Sequence, residues 1–144
     1  MTSWKISESA SISKTISESD VYMFAGITGD FNPMHVNEEK SKKGIFGERI
    51  VHGILVTGLI SAVIGTKIPG EGAIYMEQDV RFLKPVKIGD TVTATVEIVE
   101  IISEEKGILK LNTTVKNQRE EQVIDGYAIV KVPLERKKDD EKDK

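Results

Sequence analysis

The chain has no cysteine, four prolines, one tryptophan and only two histidines in 144 residues. Without cysteine there is no disulfide, no thiolate nucleophile and no thiolate metal site, a pattern that fits an intracellular protein. Long hydrophobic runs are missing too. The longest, Ile54 to Ile64, is too short to span a bilayer and is interrupted by Thr57, Gly58 and Ser61. Met1 to Ser13 holds no apolar signal core. Charge of one sign does not accumulate: the formal net charge of −3 gives no reason to expect nucleic acid or an anionic membrane as a partner. These absences predict a soluble, cytoplasmic protein.

What is present fits one domain with its own core. No repeat or linker divides the chain. The boundary falls at 134, because residues 135–144 are charged with no apolar member and are expected to form a disordered tail. The first half reads as helical. Ser17 before Glu18, Ser19 and Asp20 is an N-cap with acids in the first turn, and Gly29 ends that helix and presents Asp30. Asn37 to Lys40 reads as a short capped helix ending at Gly44. His52 to Gly65 is the central element, with apolar residues around nearly its whole circumference, which predicts a fully buried helix.

The period then changes from 3.6 to 2. Alternating segments around Ile74–Phe82, Val92–Ile98, Leu109–Val115 and Ile124–Val132 read as four strands, and Ala10–Thr15 could add a fifth. The expected class is α+β, a curved antiparallel sheet wrapped around one long central helix. Such a sheet has open edges, and pairing two copies would cover them, so a homodimer is expected.

Both histidines lie in the segment that also holds Asp30. It reads Gly29-Asp30-Phe31-Asn32-Pro33-Met34-His35, then Ile50-Val51-His52-Gly53 at the mouth of the apolar run. A carboxylate five residues before an imidazole, with a proline fixing the turn, makes an acid–base pair. Asp before Asn-Pro is also ordinary turn chemistry. Asn32 and Pro33 read as scaffold returning His35 toward Asp30, with a substrate contact from Asn32 as the alternative. Gly53 opens a helix, so its N–H is free to meet a developing oxyanion, or its missing Cβ simply permits close packing. His52 reads as a structural hydrogen-bonding residue. Gly70-Glu71-Gly72 is a turn and not a phosphate loop. Arg81 and Lys84 either meet substrate phosphates at a rim or lie on a solvated strand face. The serine-rich start, Ser7 to Ser19, suggests no chemistry. No cluster with metal-ligand spacing stands out.

These motifs, together with Phe82-Leu83-Lys84-Pro85-Val86 and Gly89-Asp90-Thr91-Val92, resemble the MaoC-like hydratases, and more narrowly the single-domain (R)-specific enoyl-CoA hydratases. The likeness runs from about Ile12 to Val132. It implies a hot-dog fold, a dimer with sites near the subunit interface, an acyl-CoA substrate, no metal or organic cofactor, and hydration of trans-2-enoyl-CoA to (R)-3-hydroxyacyl-CoA. It also implies that Asp30 and His35 hold the water and that Ser61 helps orient the carboxylate. A small residue packed inside a helix is the other reading of Ser61, which is not a nucleophile because Leu59-Ile60-Ser61-Ala62-Val63 lacks both elbow glycines. Two further readings of the chain stay open: a hot-dog acyl-CoA thioesterase, and a non-catalytic subunit that binds acyl thioesters.

Overall fold

The computed structural model describes residues 3–134, so the expected charged tail lies outside the described residues. The order is β1 (Ser9–Thr15), α1 (Glu18–Thr28), α2 (Pro33–Val36), α3 (Glu38–Lys42), α4 (Gly53–Thr66), β2 (Ile74–Phe82), β3 (Thr91–Ser103), β4 (Ile108–Lys116) and β5 (Gln122–Lys131). The strands form one antiparallel sheet in the order β1-β3-β4-β5-β2. α4 packs against β3, β1 and β4.

Alternation decides which sheet face meets the helix. In β3, Val92, Ala94, Val96 and Ile98 are fully buried, and Leu109, Leu111, Thr113 and Val115 of β4 continue that layer. From α4, Val56, Ile60, Val63 and Ile64 complete it. The intervening β3 residues face outward, and there the serine-rich start finds its role. Ser11, Ser13 and Thr15 of β1 pair hydroxyl to hydroxyl with Thr95, Thr93 and Thr91, each at 2.7 Å.

Two expectations need correction. α4 is not buried all round: Ile54, Gly58, Ser61 and Gly65 lie on an exposed stripe, because the chain's own sheet covers only one side of the helix. The alternation predicted for Ile74, Met76, Val80 and Phe82 does not give a buried face either. Among the described residues β2 is an edge strand with β5 as its one neighbour, and a register shift between Tyr75 and Glu77 changes its phase. Only the middle of β2 is half-buried. At Gly126 the backbones of β5 and β2 approach so closely that a Cβ would collide with the Asp79 carbonyl oxygen. Among the described residues, no helix is long and apolar enough to cross a membrane.

Candidate active site

Local hydrogen bonding builds the loop between α1 and α4 step by step. Ser17 and Asp20 form a reciprocal capping box that starts α1. Gly29 ends it in the left-handed region (φ +82°), donating its N–H to Ala25 O at 2.8 Å. The Asp30 N–H then donates to Thr28 Oγ1, Asp30 Oδ1 accepts the Asn32 N–H, and Asn32 Oδ1 accepts the Met34 N–H, each at 3.2 Å. Asn32 thus caps α2, a one-turn helix with Pro33 in its first turn that is too short to show a period in the sequence. The segment returns beside the entrance of α4 because Ile50 N–H donates to Met34 O at 3.0 Å and Val51 N–H to Val86 O at 2.7 Å. Arg49 ties the arrangement to α1 and α3 through Glu38 at 2.8 Å and Glu18 at 3.4 Å.

These turns bring Asp30 and His35 together. One carboxylate oxygen of Asp30 and one ring nitrogen each of His35 and His52 lie within 4.8 Å of one another. His35 and His52 are buried, while Asp30 is exposed. His35 Nδ1 lies 2.7 Å from Ile50 O, and His52 Nε2 lies 3.0 Å from Asp30 O. A carbonyl only accepts, so each of these nitrogens carries a proton. His35 therefore keeps Nε2 as its unprotonated nitrogen when neutral. His52 keeps Nδ1, which is buried and has no hydrogen-bond partner among the described residues.

The three side chains are types that bind metals, but their arrangement does not fit a shared ion. The two imidazoles lie face to face, stacked at 4.0 Å. A tetrahedral site requires ligand rings that converge edge-on toward one point.

A mainly apolar cavity of about 470 Å³ opens next to this cluster, with His35, Gly53, Phe46, Ile54, Phe82 and Ile124 among its lining residues. Gly53 is the first residue of α4, so its N–H has no acceptor within the helix. Its missing Cβ matters as well: a methyl there would lie 2.5 Å from the Phe82 ring. The close packing expected at Gly53 is therefore seen, and its N–H has no partner within α4.

The remaining predicted residues fall elsewhere. Asn32 is exposed and engaged in its cap, so the scaffold role is the one seen. Ser61 is exposed on α4 and lines a second cavity with Gln78 and Tyr75, one that Asp30 does not line. The contact between Ser61 and the carboxylate that the resemblance implies is absent among the described residues of this chain. Lys84 lines the first cavity and is paired with Glu121, whereas Arg81 pairs with Asp125 on the strand face. Sequence reasoning misses Phe46 and Phe82 as cavity residues. The alternation assigns Phe82 to the core, and Phe46 sits in a loop with no periodic signal.

Residues 5–122 match the family model described as MaoC like domain. The chain is 50% identical to an (R)-specific enoyl-CoA hydratase of Rhodospirillum rubrum over 130 residues, covering 90% of this chain and 88% of the relative. It is 47% identical to a 3-hydroxybutyryl-CoA dehydratase of Methylorubrum extorquens, covering 89% and 80%. The solved structure of the (R)-hydratase from A. caviae involved in PHA biosynthesis superposes with a TM-score of 0.88 at 36% identity, covering 92% of this chain and all of that one. The layered sheet and helix described above are therefore a hot-dog fold.

Proposed function

The chain belongs to the family of MaoC-like domains, and we propose that it is an (R)-specific enoyl-CoA hydratase, acting in reverse as a 3-hydroxyacyl-CoA dehydratase. The observation that supports this most is the approach of the Asp30 carboxylate to the His35 imidazole beside an apolar cavity that ends at a free helix N–H.

Hydration of an enoyl thioester places a hydroxyl on the β-carbon and a hydrogen on the α-carbon. Asp30 and His35 Nε2 flank one water. Together they take a proton from it as it attacks the β-carbon and return a proton to the α-carbon. Asp30 Oδ1 already accepts the Asn32 N–H, which fixes the carboxylate and leaves its other oxygen for the water. The Ile50 carbonyl holds His35 as the Nδ1–H tautomer, so the lone pair stays on Nε2. Negative charge gathers on the thioester oxygen, where the Gly53 N–H and the positive end of α4 stabilise it. The apolar lining takes the acyl tail. None of these steps calls on a cofactor. A homodimer formed along the exposed edge strand β2 belongs to the same reading.

The test is loss of crotonyl-CoA absorbance with purified protein, followed by chiral analysis of the 3-hydroxybutyryl product. Loss with the (R) product is expected. Release of free CoA without hydration would make the protein a thioesterase. No turnover of any kind would leave an acyl-thioester-binding subunit.

A further inference from the structure

Arg49 does not line the large cavity, yet it joins the segments that carry Asp30 and His35. It directly precedes Ile50, whose carbonyl accepts the His35 Nδ1–H at 2.7 Å. Its Nε pairs at 2.8 Å with Glu38 of α3, three residues after His35. Its two terminal nitrogens reach α1: Nη1 donates to the Tyr22 hydroxyl at 2.7 Å, and Nη2 lies 3.4 Å from the Glu18 carboxylate. The Tyr22 hydroxyl in turn donates to Glu18, so hydrogen bonds from Tyr22 and Arg49 hold the Glu18 carboxyl below its ordinary range. The Arg49 side chain is only 13% exposed, whereas Glu18 and Glu38 are half-exposed. A planar fork with several donors can serve three partners in different directions, which a single ammonium cannot do as well.

The two halves of the acid–base pair are held very differently. On the His35 side the backbone does the holding: Ile50 N–H donates to Met34 O at 3.0 Å and Val51 N–H to Val86 O at 2.7 Å. Asp30 instead follows the far end of α1, and of the 11 residues of that helix only Val21 and Ala25 are buried. The Lys14–Asp20 ion pair at 3.2 Å holds its first turn, and Phe24 meets His52. A helix of this length spans about 16 Å, so a small tilt about the two buried residues displaces the end that presents Asp30. Glu18 and Tyr22 stand one turn apart on the first half of α1, where a hold fixes the direction of the whole rod. Losing Arg49 therefore releases the Asp30 side and leaves the His35 side in place.

We propose that Arg49 is a positioning residue for the hydration reaction: by clamping α1 to α3 it sets how closely the Asp30 carboxylate approaches the His35 imidazole. This rests on the proposed acid–base pair and enoyl-thioester substrate.

The experiment combines nuclear magnetic resonance of the full chain, isotope-labelled in histidine only, with hydration of crotonyl-CoA. The chain holds two histidines, so the spectrum contains two rings. The His35 Nδ1–H is held by Ile50 O and the His52 Nε2–H by Asp30 O, so the two ring N–H signals report the two sides separately. In Arg49→Met the His52 signal is expected to shift or weaken while the His35 signal stays. In the same variant kcat should fall roughly tenfold or more, as for a catalytic group held slightly out of place, with KM nearly unchanged because Arg49 does not line the cavity. Arg49→Lys keeps the charge without the fork and should recover only part of the loss. Glu18→Gln together with Glu38→Gln should reproduce the loss in weaker form, and it decides the matter if Arg49→Met does not fold. An unchanged kcat, a KM that rises as much as kcat falls, or loss of both ring signals together overturns the proposal, the last because it reports general loosening. A selective change at His52 in a chain whose unaltered form hydrates no crotonyl-CoA upholds the clamp and removes the hydratase reading. Hydration by the unaltered chain, with rate and ring signals unmoved in the variants, does the reverse.

Discussion

His35 and His52 stack with ring centroids 4.0 Å apart and planes 29° from parallel, and each holds a backbone carbonyl next to the other's segment. His35 donates to Ile50, two residues before His52, while His52 donates to Asp30, five residues before His35. The two loop segments are thereby fastened reciprocally, and the Phe24 ring packs tilted against His52 with centroids 4.7 Å apart. His52 thus holds the Asp30 and His35 segments together.

Replacing His52 tests this fastening. His52→Ala removes a buried ring and leaves the Asp30 carbonyl without its donor, which should cost on the order of 2 kcal/mol or more in urea unfolding. It should also lower kcat more than it changes KM, because the Asp30 segment is no longer held against His35. His52→Gln, whose amide can donate to the same carbonyl, should recover part of both losses. Equal kcat in the alanine variant would show that the loop is held without His52.

Asp30 and His35 should be needed for turnover. Asp30→Asn and His35→Gln are each expected to lower kcat roughly 10²-fold or more, the usual contribution of a positioned acid or base. Asp30 is exposed, so Asp30→Asn should leave the thermal midpoint nearly unchanged. Near-normal rates in both variants would remove the acid–base pair from the mechanism.

The close approach of Gly53 to Phe82 makes a paired prediction. Gly53→Ala keeps the backbone N–H but places a methyl 2.5 Å from the phenyl ring, which must turn into the cavity. Crowding should raise KM for crotonyl-CoA, and Phe82→Leu in the same chain should restore it. If the double variant stays as impaired as the single one, the damage lies in the helix entrance and not in cavity volume.

Much of this arrangement is legible in the chain. The capping signal at Ser17, the stop at Gly29 and the alternation of Val92 to Ile98 each rest on local stereochemistry, and each appears where the pattern puts it. The convergence of Asp30 with His35 is legible because a short loop with one proline joins them. The exposed stripe on α4 is not, because a run of apolar residues states what can be buried and not what covers it. The phase change in β2 is hidden too: a bulge adds one residue without altering composition. A structural role for His52 can be read from the chain, but its partners cannot, because the Asp30 carbonyl and the His35 ring come from a segment well before it in sequence.

Acid stability should depend on Glu121. Hydrogen bonds from Lys84, Arg119 and Asn117 pull its carboxyl down from the usual 4.5 to about 2. The folded chain therefore binds fewer protons than the unfolded chain between those values. The contribution is fully present above pH 4.5 and is lost as pH falls toward 2. In Glu121→Gln the acid limb of stability against pH should be shallower in that window, and an unchanged limb would show that the depression is not realised in solution.

Assembly is the last consequence of the edge position of β2. Ile74, Tyr75 and Met76 are 59%, 38% and 56% exposed on a strand with one neighbour. A bare apolar edge of this kind is a pairing surface. Sedimentation at micromolar concentration should therefore give twice the 15.9 kDa chain mass. Lysine at 74 and 76 (Ile74→Lys with Met76→Lys) would bring like charges from two copies together at the edge. It should weaken the dimer on the order of tenfold or more, with the weakening relieved by salt. A stable monomer in the unaltered chain would mean that this edge is left open in solution. A dimer indifferent to both lysines would place the interface on another face.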